Sequence, residues 1–570
     1  MFRRHAALAV LILVQLARGT SAQVVEGGGL DVAENATGAA VGARVLADGG
    51  NAVDAAIATA FALAVTRPSA GNIGGGGFLV FRGMDGTATS FDFRERAPAA
   101  ATERMFLDER GVYSPERHHR SHLAVGVPGT VAGLWLAHRR LGSRPWAELV
   151  APAIALARDG IAVTPWLAAA LREVRDDMAR YPATRAIFSR PDGEPFAPGD
   201  VLRQPDLAAT LERIRDRGAD GFYRGETARL LAAEMERGGG LITRADLESY
   251  AAVERPCVTG RYRGNTIIGM GPPSSGGTVL IEMLGMLESF PVEREPAARL
   301  HLLAEVMRRG FADRARVLGD PSAVDEDELA RLLDPEHARR RAADIDPARA
   351  SRSRIEDFSW TRGESDETTH FSVVDGAGNA VALTYTLEYG FGSRIVVPGA
   401  GFLLNNEMGD FNPQPGHTDE RGLIGSAPNL VAPGKRMLSS MSPTIVVDSR
   451  GRPRAILGAR GGRTIINTVL QTLLGIVDLR LSAGDAVALP RIHHQWFPDE
   501  LLVESTLDEE LRRALEAMGH RVRVRGGDGA NPGIGAVECI RLRPSGRRLI
   551  ADPGVDPRSS EGGAARPRRP

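Results

Sequence analysis

Apolar residues recur at helical spacing through the first two thirds of the chain and in short alternating runs after that. One apolar stretch begins after Asn51, a residue type that caps helix N-termini, and continues to about Val65 before Pro68 ends it. Helical spacing recurs in three later stretches, 130–160, 203–250 and 297–318. The pattern predicts a helix-rich first part and a strand-rich last third that begins near Thr368.

Several pairs of short runs predict antiparallel hairpins. The clearest pair is 370–375 and 380–386, joined by a Gly-Ala-Gly-Asn turn at 376–379. Further predicted strands are 78–81, 89–93, 444–448, 454–457, 536–542 and 548–551. We interpret the Arg-rich segment 326–356 as a solvated helical face. Helices followed by antiparallel strands favour a layered α+β fold in which helices cover sheets.

The N-terminus has the three parts of a secretory signal peptide. Basic residues at 3–5 precede an apolar stretch at 6–17, and small residues at 20–22 offer a cleavage site. The apolar stretch is short for a bilayer span, although an uncleaved membrane anchor stays open as the alternative. We therefore expect 1–22 to be removed and the mature protein to be periplasmic or secreted, without stable membrane insertion.

The composition excludes several kinds of chemistry and partner. The 70 basic and 71 acidic residues give a net charge of −1, so no general basic field is present to bind nucleic acid. Lys435 is the only lysine, which argues against Schiff-base and P-loop chemistry. Cys257 and Cys539 are too few for a disulfide scaffold, and the sequence leaves their pairing open. The Gly-, Pro- and Arg-rich segment 558–570 is expected to be a flexible tail.

Histidine and glycine motifs indicate neither a metal nor a cofactor. The chain has no H-E-x-x-H motif, and the adjacent His493 and His494 would point to opposite faces of a strand. The three histidines within 118–122 lie in an Arg-rich segment and are not interpreted as a metal site. The glycines at 74–77 follow a predicted helix and precede a strand, whereas a phosphate-binding loop needs the opposite order. We interpret these glycines as close backbone packing or as the wall of a pocket.

The threonine pair at the start of the first predicted hairpin has a chemical interpretation and an ordinary one. A threonine hydroxyl is a weak nucleophile without a nearby base, but an N-terminal threonine carries one in its own α-amine. Thr368 would gain that amine if the chain were cut before it. From the residues alone, the ordinary interpretation of two threonines in a strand is favoured.

The wider sequence changes this balance, because ordered motifs resemble the γ-glutamyltransferases, also known as glutathione hydrolases. The matching segments are 50–56 (GNAVDAA), 74–78 (GGGGF), 93–95 (FRE), 126–130 (GVPGT), 272–278 (PPSSGGT), 368–375 (TTHFSVVD), 404–408 (LNNEM), 435–444 (KRMLSSMSPT) and 490–491 (PR). The resemblance covers nearly the whole mature chain, so agreement by chance is negligible.

The resemblance implies the fold and the reaction. It implies an N-terminal-nucleophile hydrolase, a four-layer αββα sandwich with two stacked antiparallel sheets between helical layers. The precursor would cleave itself between Glu367 and Thr368 into a large subunit, 23–367, and a small subunit, 368–570, intertwined as one unit. The enzyme would cleave γ-glutamyl amides such as glutathione and pass the acyl group to water, an amino acid or a peptide. No cofactor or nucleic acid is implied.

The catalytic roles implied by the resemblance fall on four residues. Thr368 is the nucleophile in self-cleavage and in turnover, and Thr386 hydrogen-bonds it. Gly461 and Gly462 form the oxyanion hole with their backbone N–H groups, where the absence of a Cβ lets the backbone approach the substrate. The alternatives are an ordinary strand residue for Thr386 and a plain turn for the glycines.

The resemblance implies that the substrate is bound by residues of opposite charge, a cation for its α-carboxylate and acids for its α-ammonium. Arg94 would grip the α-carboxylate in a two-point contact, with hydroxyl donors from Ser439 and Ser440. For Arg94 the alternative is a surface ion pair with Asp92 or Glu95.

Three acids match positions that line the same pocket. Asp410 would bind the substrate α-ammonium, with Glu407 and Glu388 nearby. If all three line one pocket, mutual repulsion should raise at least one pKa. The alternative is three separately solvated acids.

The sequence departs from the family pattern at three places. Glu388 stands where many members have asparagine, although some bacterial members carry glutamate. Arg460 stands where many members have proline, which puts a cation beside the oxyanion hole or else points it to solvent. The segment 415–426 matches a lid loop found in some members, but its matching aromatic is not obvious near Arg421 and Gly422.

Two other functions remain as alternatives. One is a sibling acylase acting on glutaryl-β-lactam, oxamate or polyglutamate amides, although a glutaryl group lacks the α-amine that the acids would bind. The other is an uncleaved extracytoplasmic binding protein, which the intact Thr368 and Thr386 argue against.

Overall fold

The computed structural model describes residues 24–291, 295–354, 360–361, 368–417, 419, 423–525 and 533–568. The predicted signal segment and Glu367 lie outside these described residues. The α-helices are α1 (Ala36–Ala47), α2 (Ala52–Thr66), α3 (Pro115–His119), α4 (Thr130–Leu141), α5 (Trp146–Asp159), α6 (Pro165–Glu173), α7 (Arg175–Ala179), α8 (Pro182–Phe188), α9 (Pro205–Arg217), α10 (Asp220–Tyr223), α11 (Gly225–Gly238), α12 (Arg244–Glu248), α13 (Gly276–Leu287), α14 (Pro296–Val317), α15 (Glu326–Leu333), α16 (Pro335–Ala343), α17 (Thr464–Val477), α18 (Ala483–Ala488) and α19 (Glu509–Ala517).

The strands are β1 (Val24–Val25), β2 (Gly29–Ala33), β3 (Gly76–Arg82), β4 (Ala88–Asp92), β5 (Ile161–Ala162), β6 (Val201–Leu202), β7 (Val253–Arg255), β8 (Val258–Tyr262), β9 (Asn265–Gly269), β10 (Trp360–Thr361), β11 (Thr369–Asp375), β12 (Ala380–Thr386), β13 (Leu423–Ile424), β14 (Thr444–Val447), β15 (Pro453–Arg460), β16 (Ile492–His493), β17 (Leu501–Glu504), β18 (Val522–Arg525), β19 (Ala536–Ser545), β20 (Arg548–Val555) and β21 (Gly563–Ala565). The predicted hairpins 370–375 with 380–386, 444–448 with 454–457 and 536–542 with 548–551 are all confirmed as antiparallel pairs.

Two seven-stranded sheets form the centre of the molecule. The first sheet has the order β21-β2-β11-β12-β3-β4-β7, and the second has the order β1-β20-β19-β15-β14-β9-β8. Neighbouring strands are antiparallel except for the short edge pair of β1 and β20. β11 and β12 of the first sheet pack on β15 of the second, so the two sheets are stacked.

The alternation of side chains along β11 explains how the layers join. Phe371 and Val373 enter the apolar cluster shared with helix α2. The alternate residues, His370 and Ser372, face the other sheet: Ser372 Oγ donates to the Glu538 carbonyl at 3.0 Å, and the His370 ring fills the space beside Gly458. Since successive side chains of a strand point to opposite faces, one strand serves both interfaces.

Helices cover the outer faces of both sheets and complete the predicted four-layer sandwich. α1 and α2 pack on the first sheet, and α13, α17 and α18 pack on the second. α2 begins with a capping box between Asn51 and Asp54, and all of its residues are buried. This confirms the predicted apolar helix after Asn51 and the α+β fold class.

The expectation of a flexible tail is wrong for part of 558–570. Residues Gly563–Ala565 form β21, which extends the first sheet beside β2. Arg558 donates to Glu504 Oε2 at 2.5 Å and to Asp556 Oδ1 at 3.0 Å. The composition of this segment is typical of mobile tails, but two interactions order it. Arg558 neutralises buried carboxylates, and β21 pairs with the open edge of the first sheet.

The segment 326–356, interpreted as a solvated helical face, contains two helices, α15 and α16, that end at Ala343. The side chains of Leu332, Ala338 and Ala342 are buried, so these helices also contribute to the core. Cys257 and Cys539 are both free thiols. Among the helices of the described ranges, none combines the length and the apolar character needed to cross a bilayer.

The tail contacts predict a loss of stability in the Arg558→Ala variant. This variant leaves the carboxylate of Glu504 buried without the Arg558 guanidinium. Removing one partner of a buried ion pair lowers the free energy of unfolding by about 3 kcal/mol. We expect a clearly lower urea midpoint by circular dichroism. Arg568→Ala is the matched control, because Arg568 is exposed, and it should unfold like the wild type. Equal midpoints for both variants would show that the tail does not stabilise the fold.

Candidate active site

Thr368 lies immediately before β11, near the middle of the first sheet. Thr369 pairs with Tyr385 across β11 and β12, so the next position of the register sets Thr368 opposite Thr386. Thr368 is 4% exposed, and Thr386 Oγ1 accepts the backbone N–H of Glu388 at 2.9 Å. The two threonines therefore meet at the end of a rigid hairpin, whose position is set by strand pairing on both sides.

A small cleft opens at this end of the hairpin. Its lining is formed by Arg94, Thr368, Thr386, Glu388, Glu407, Asp410, Ser439, Ser440, Met441, Gly462 and Ile465. These include every site residue predicted for the cleft except Gly461, which precedes Gly462 in the chain. Glu367, on the other side of the predicted cleavage point, is outside the described residues. Residues from six separate stretches of sequence thus line one cleft.

Gly461 and Gly462 connect β15 to α17, and both have backbone angles that favour glycine. Their φ angles are 127° and 55°. A Cβ on Gly461 would lie 2.4 Å from Thr464 Oγ1, so a larger residue does not fit. The pair stands directly before the first turn of α17, where helix N–H groups and the helix dipole favour negative charge. The position suits stabilisation of an oxyanion.

Arg94 is fully buried, which excludes the alternative of a surface ion pair. It follows β4, and its backbone N–H donates to Asp92 Oδ1 at 3.0 Å. Its guanidinium contacts Glu407 at 2.5 Å and also forms an ion pair with Asp410. Glu95 is 3.5 Å away. Burial disfavours the charged guanidinium, but the three acids outweigh it and keep the pKa of Arg94 above its ordinary value.

The acids around Arg94 outnumber it, and two of them have strongly shifted pKa values. Burial raises the pKa of Glu407 well above its ordinary value, and the neighbouring acids raise it further, while Arg94 lowers it. Burial likewise raises the pKa of Glu95 to about 8. The predicted raised pKa in this acid group is confirmed, although burial contributes more than repulsion. Glu95, which sequence analysis named only as a partner of Arg94, is part of the same charge cluster.

Glu388 is held in an unusual backbone conformation beside a histidine. Its φ is 79°, a left-handed conformation that is strained for a residue with a side chain. His119 Nδ1 lies 3.3 Å from Glu388 Oε1, and the His119 ring stacks on Tyr389. Burial lowers the pKa of His119 to about 4, so the ring is neutral at neutral pH. Sequence analysis did not assign His119 a role, since only the fold brings it to Glu388.

The Ser439–Ser440 segment is supported by two residues to which sequence analysis assigned no role, Arg314 and, from the 272–278 motif, Ser275. Arg314 of α14 donates to Ser440 Oγ and Ser275 Oγ, at 2.8 and 2.9 Å. Ser275 in turn donates to the Ser439 carbonyl at 2.7 Å. Arg314 sits within a helical stripe whose spacing predicts only a helix, so its contact with the cleft could not be read from the sequence.

Asparagine side chains hold the loops at the rim of the cleft. Asn405 donates to the carbonyls of Gly74 and Gly126, both at 2.8 Å, and accepts the N–H of Glu407 at 3.0 Å. A Cβ on Gly75 would lie 2.0 Å from the Thr386 carbonyl. The glycines at 74–77 therefore provide close backbone packing, as predicted.

Arg460 adopts neither of the two orientations expected from the sequence. It is buried, with Nε 3.3 Å from Glu34 Oε1, and it donates to the Arg558 carbonyl at 3.0 Å. The guanidinium is drawn inward because Glu34 is a fully buried carboxylate. Of the predicted lid segment 415–426, residues 418 and 420–422 lie outside the described part of the chain, which includes Arg421 and Gly422.

Comparisons with known proteins agree with this geometry. The family model described as Gamma-glutamyltranspeptidase matches residues 38–566. A glutathione hydrolase proenzyme of Escherichia coli (strain K12) is 44% identical over 93% of this chain and 90% of its own length. The structure of a cephalosporin acylase from Bacillus halodurans covers 98% of this chain with a TM-score of 0.82 and 26% identity, and 99% of that acylase is matched.

A solved chain of Helicobacter pylori gamma-glutamyltranspeptidase is 40% identical and covers 55% of this chain and 90% of its own, with a TM-score of 0.54. The family model spans more than nine tenths of the chain, and the relatives share its sandwich fold. The protein therefore belongs to the gamma-glutamyltranspeptidase family.

Proposed function

We propose that this protein is a self-cleaving γ-glutamyl hydrolase and transferase that uses Thr368 as its nucleophile. It cleaves γ-glutamyl amides such as glutathione and passes the acyl group to water, an amino acid or a peptide. The observation that carries the proposal is the shared cleft, in which Thr368 lies beside one arginine and an excess of acids. That charge pattern suits a substrate with both a free α-carboxylate and a free α-ammonium.

Maturation comes first in the proposed sequence of steps. The Thr368 hydroxyl attacks the carbonyl of Glu367, the peptide bond to Thr368 nitrogen breaks, and an ester forms in its place. Water hydrolyses this ester and leaves Glu367 as a C-terminal carboxylate and Thr368 with a free α-amine. The resulting subunits are 23–367 and 368–570. The amine, with an ordinary pKa near 8, then serves as the base that the hydroxyl lacked.

Turnover uses the same hydroxyl on the substrate amide. The α-amine of Thr368 accepts the hydroxyl proton as Oγ1 attacks the γ-carbonyl carbon, and the N–H groups of Gly461 and Gly462 stabilise the oxyanion. The leaving amine takes the proton as the amide bond breaks, which leaves a γ-glutamyl ester on Thr368. Water or an acceptor amine then attacks the ester, and the products are glutamate or a new γ-glutamyl amide.

Substrate binding in this proposal is an exchange of ion pairs. The substrate α-carboxylate binds the Arg94 guanidinium and the hydroxyls of Ser439 and Ser440. The substrate α-ammonium binds the acids that were paired with Arg94 before the substrate entered. Asp410 and Glu407 both contact Arg94. The groups that would bind the α-carboxylate and the α-ammonium of one γ-glutamyl group are therefore next to each other. A buried charge left unpaired is costly, which favours substrates that carry both groups.

A sibling acylase is the second candidate, favoured by the likeness to the Bacillus halodurans cephalosporin acylase structure. A glutaryl substrate would supply a carboxylate for Arg94 but no ammonium for Asp410, Glu407 and Glu388. The acid excess in the cleft therefore favours a γ-glutamyl donor. We further propose that the predicted signal segment directs the protein to the periplasm or the exterior.

The Thr368→Ala variant should remain one uncut chain without turnover, because it lacks the hydroxyl that attacks the Glu367 carbonyl. The wild type should give two chains, the smaller beginning at Thr368. Intact mass spectrometry with N-terminal sequencing measures both. Thr369→Val is the matched control: Thr369 belongs to the opposite face of the hairpin, and its variant should still be cut. Cleavage of Thr368→Ala would remove the nucleophile assignment.

Removing one acid should erase the preference for a free α-amine. We expect Asp410→Asn to lower kcat/KM for γ-glutamyl-p-nitroanilide by about 10- to 100-fold, the value of a hydrogen bond to a charged group. The deaminated donor, glutaryl-p-nitroanilide, should be affected much less. Glu388→Gln provides a second test of the same acid group. An equal loss with both donors would mean that Asp410 does not bind the ammonium.

A further inference from the structure

Three buried side chains outside the cleft converge between helices of the second outer layer. Glu282 lies on α13, Asp313 on α14 and His337 on α16, and all three are buried. One ligand-type atom from each lies within 4.8 Å of the other two. Two carboxylates and an imidazole are a donor set that binds divalent transition metals.

The deep burial of the Glu282 carboxylate is the unusual feature of this group. It is 1% exposed on a helix whose other residues are mostly apolar. Within the part of the chain that the structure describes, neither of its carboxylate oxygens accepts a hydrogen bond from an ordinary N–H or O–H donor, and the side chain that lies within hydrogen-bonding reach, Asp313, is another acid. A carboxylate removed from water without hydrogen bonds is strongly unfavourable, and proteins retain such groups when they are paired or bind a metal.

The orientation of His337 points to the same centre. Its Nε2 is 3.6 Å from Glu282 Oε1, too far for a hydrogen bond but a normal separation for two ligands of one ion. Arg331 Nη1 is 3.1 and 3.0 Å from the two ring nitrogens. An atom so nearly equidistant from both lies over the ring face, so Arg331 does not occupy the in-plane lone pair of Nε2, the ring nitrogen 3.6 Å from Glu282.

The local charges leave room for a cation. Arg341 binds one oxygen of Asp313 at 2.7 Å, and Arg331 is paired with Glu328 at 2.6 Å. One guanidinium therefore remains for two carboxylates. A proton shared by Glu282 and Asp313 would also balance the charge, without using the His337 ring. A divalent ion uses all three groups.

We propose that Glu282, Asp313 and His337 bind one divalent transition-metal ion of the Zn²⁺ class. Zn²⁺ takes such ligands at about 2.0–2.2 Å in a tetrahedral arrangement, which sets two ligand atoms about 3.4 Å apart, close to the 3.6 Å between His337 Nε2 and Glu282 Oε1. The role is structural, since the ion joins α13, α14 and α16. The next residue of α14, Arg314, holds Ser440, so the ion also stiffens the support of the cleft.

A second cluster of similar composition serves as an internal comparison. His301, Glu305 and His520 also lie within 4.8 Å of one another. There, Glu305 accepts Arg309 at 2.6 Å and the Ser351 N–H at 3.1 Å, one on each oxygen. Both oxygens are occupied, so this cluster is not proposed as a metal site.

The test is metal binding by the full-length, tag-free protein after treatment with a chelator. Isothermal titration with Zn²⁺, and metal analysis after dialysis, should give one ion per molecule. Thermal unfolding with added Zn²⁺ should shift to a higher midpoint, because the ion binds only the folded state. Mn²⁺ is the second probe.

Glu282→Gln and His337→Asn should each weaken Zn²⁺ binding by at least about 100-fold. His301→Asn is the matched control and should bind like the wild type. His337→Asn keeps the test valid if Glu282→Gln does not fold. The proposal is overturned if the wild type binds no stoichiometric Zn²⁺, or if binding survives in both variants. A higher melting midpoint of Glu282→Gln without metal binding in the wild type would indicate a shared proton instead.

Discussion

The antiparallel pairing of β11 with β2 on one side and β12 on the other is the interaction on which the site depends. It fixes Thr368 at the end of a buried strand and sets Thr386 opposite to it. β2 and β3 come from the part of the chain before Thr368, whereas β11 and β12 come from the part after it. A cut before Thr368 therefore breaks one peptide bond and none of the sheet pairing. The same hydrogen bonds that position Thr368, the proposed nucleophile, would hold the two proposed subunits together.

Charge burial is the second constraint, and it connects the fold with the choice of substrate. Arg94, Glu407 and Glu95 are fully buried, where unpaired charges cost several kcal/mol each. The cluster is stable only because cation and acids meet closely. Burial raises the pKa of Glu407 well above its ordinary value, and the neighbouring acids raise it further. A substrate that brings an ammonium and a carboxylate keeps these groups paired when it enters. Under the proposed function, specificity for an α-amino acid end group follows from the same charge pairing that stabilises the cleft.

Much of the fold, and the residues of the cleft, could be predicted from the sequence. Local signals were sufficient for α2, which has its cap and a continuous apolar run, and for the β11–β12 hairpin, which has alternation and a glycine turn. Motif resemblance identified residues that share the cleft. The supporting contacts could not be predicted, because they join residues far apart in sequence. Arg314 reaches Ser440 from another helix, and the pairing of β21 with β2 joins the two ends of the chain. Arg460 was expected beside the cleft or in solvent, but a buried carboxylate that sequence patterns do not reveal draws it inward.

The most direct measurement of the central claim is the identity of the atom that carries the acyl group during turnover. The mature enzyme would be mixed rapidly with a chromogenic γ-glutamyl amide, quenched in acid within the burst of released amine, and mapped by peptide mass spectrometry. The account predicts a mass increase of one γ-glutamyl group on the peptide that begins with Thr368, as an ester that hydroxylamine removes. An adduct on another side chain, or a burst of amine with no adduct, would contradict it.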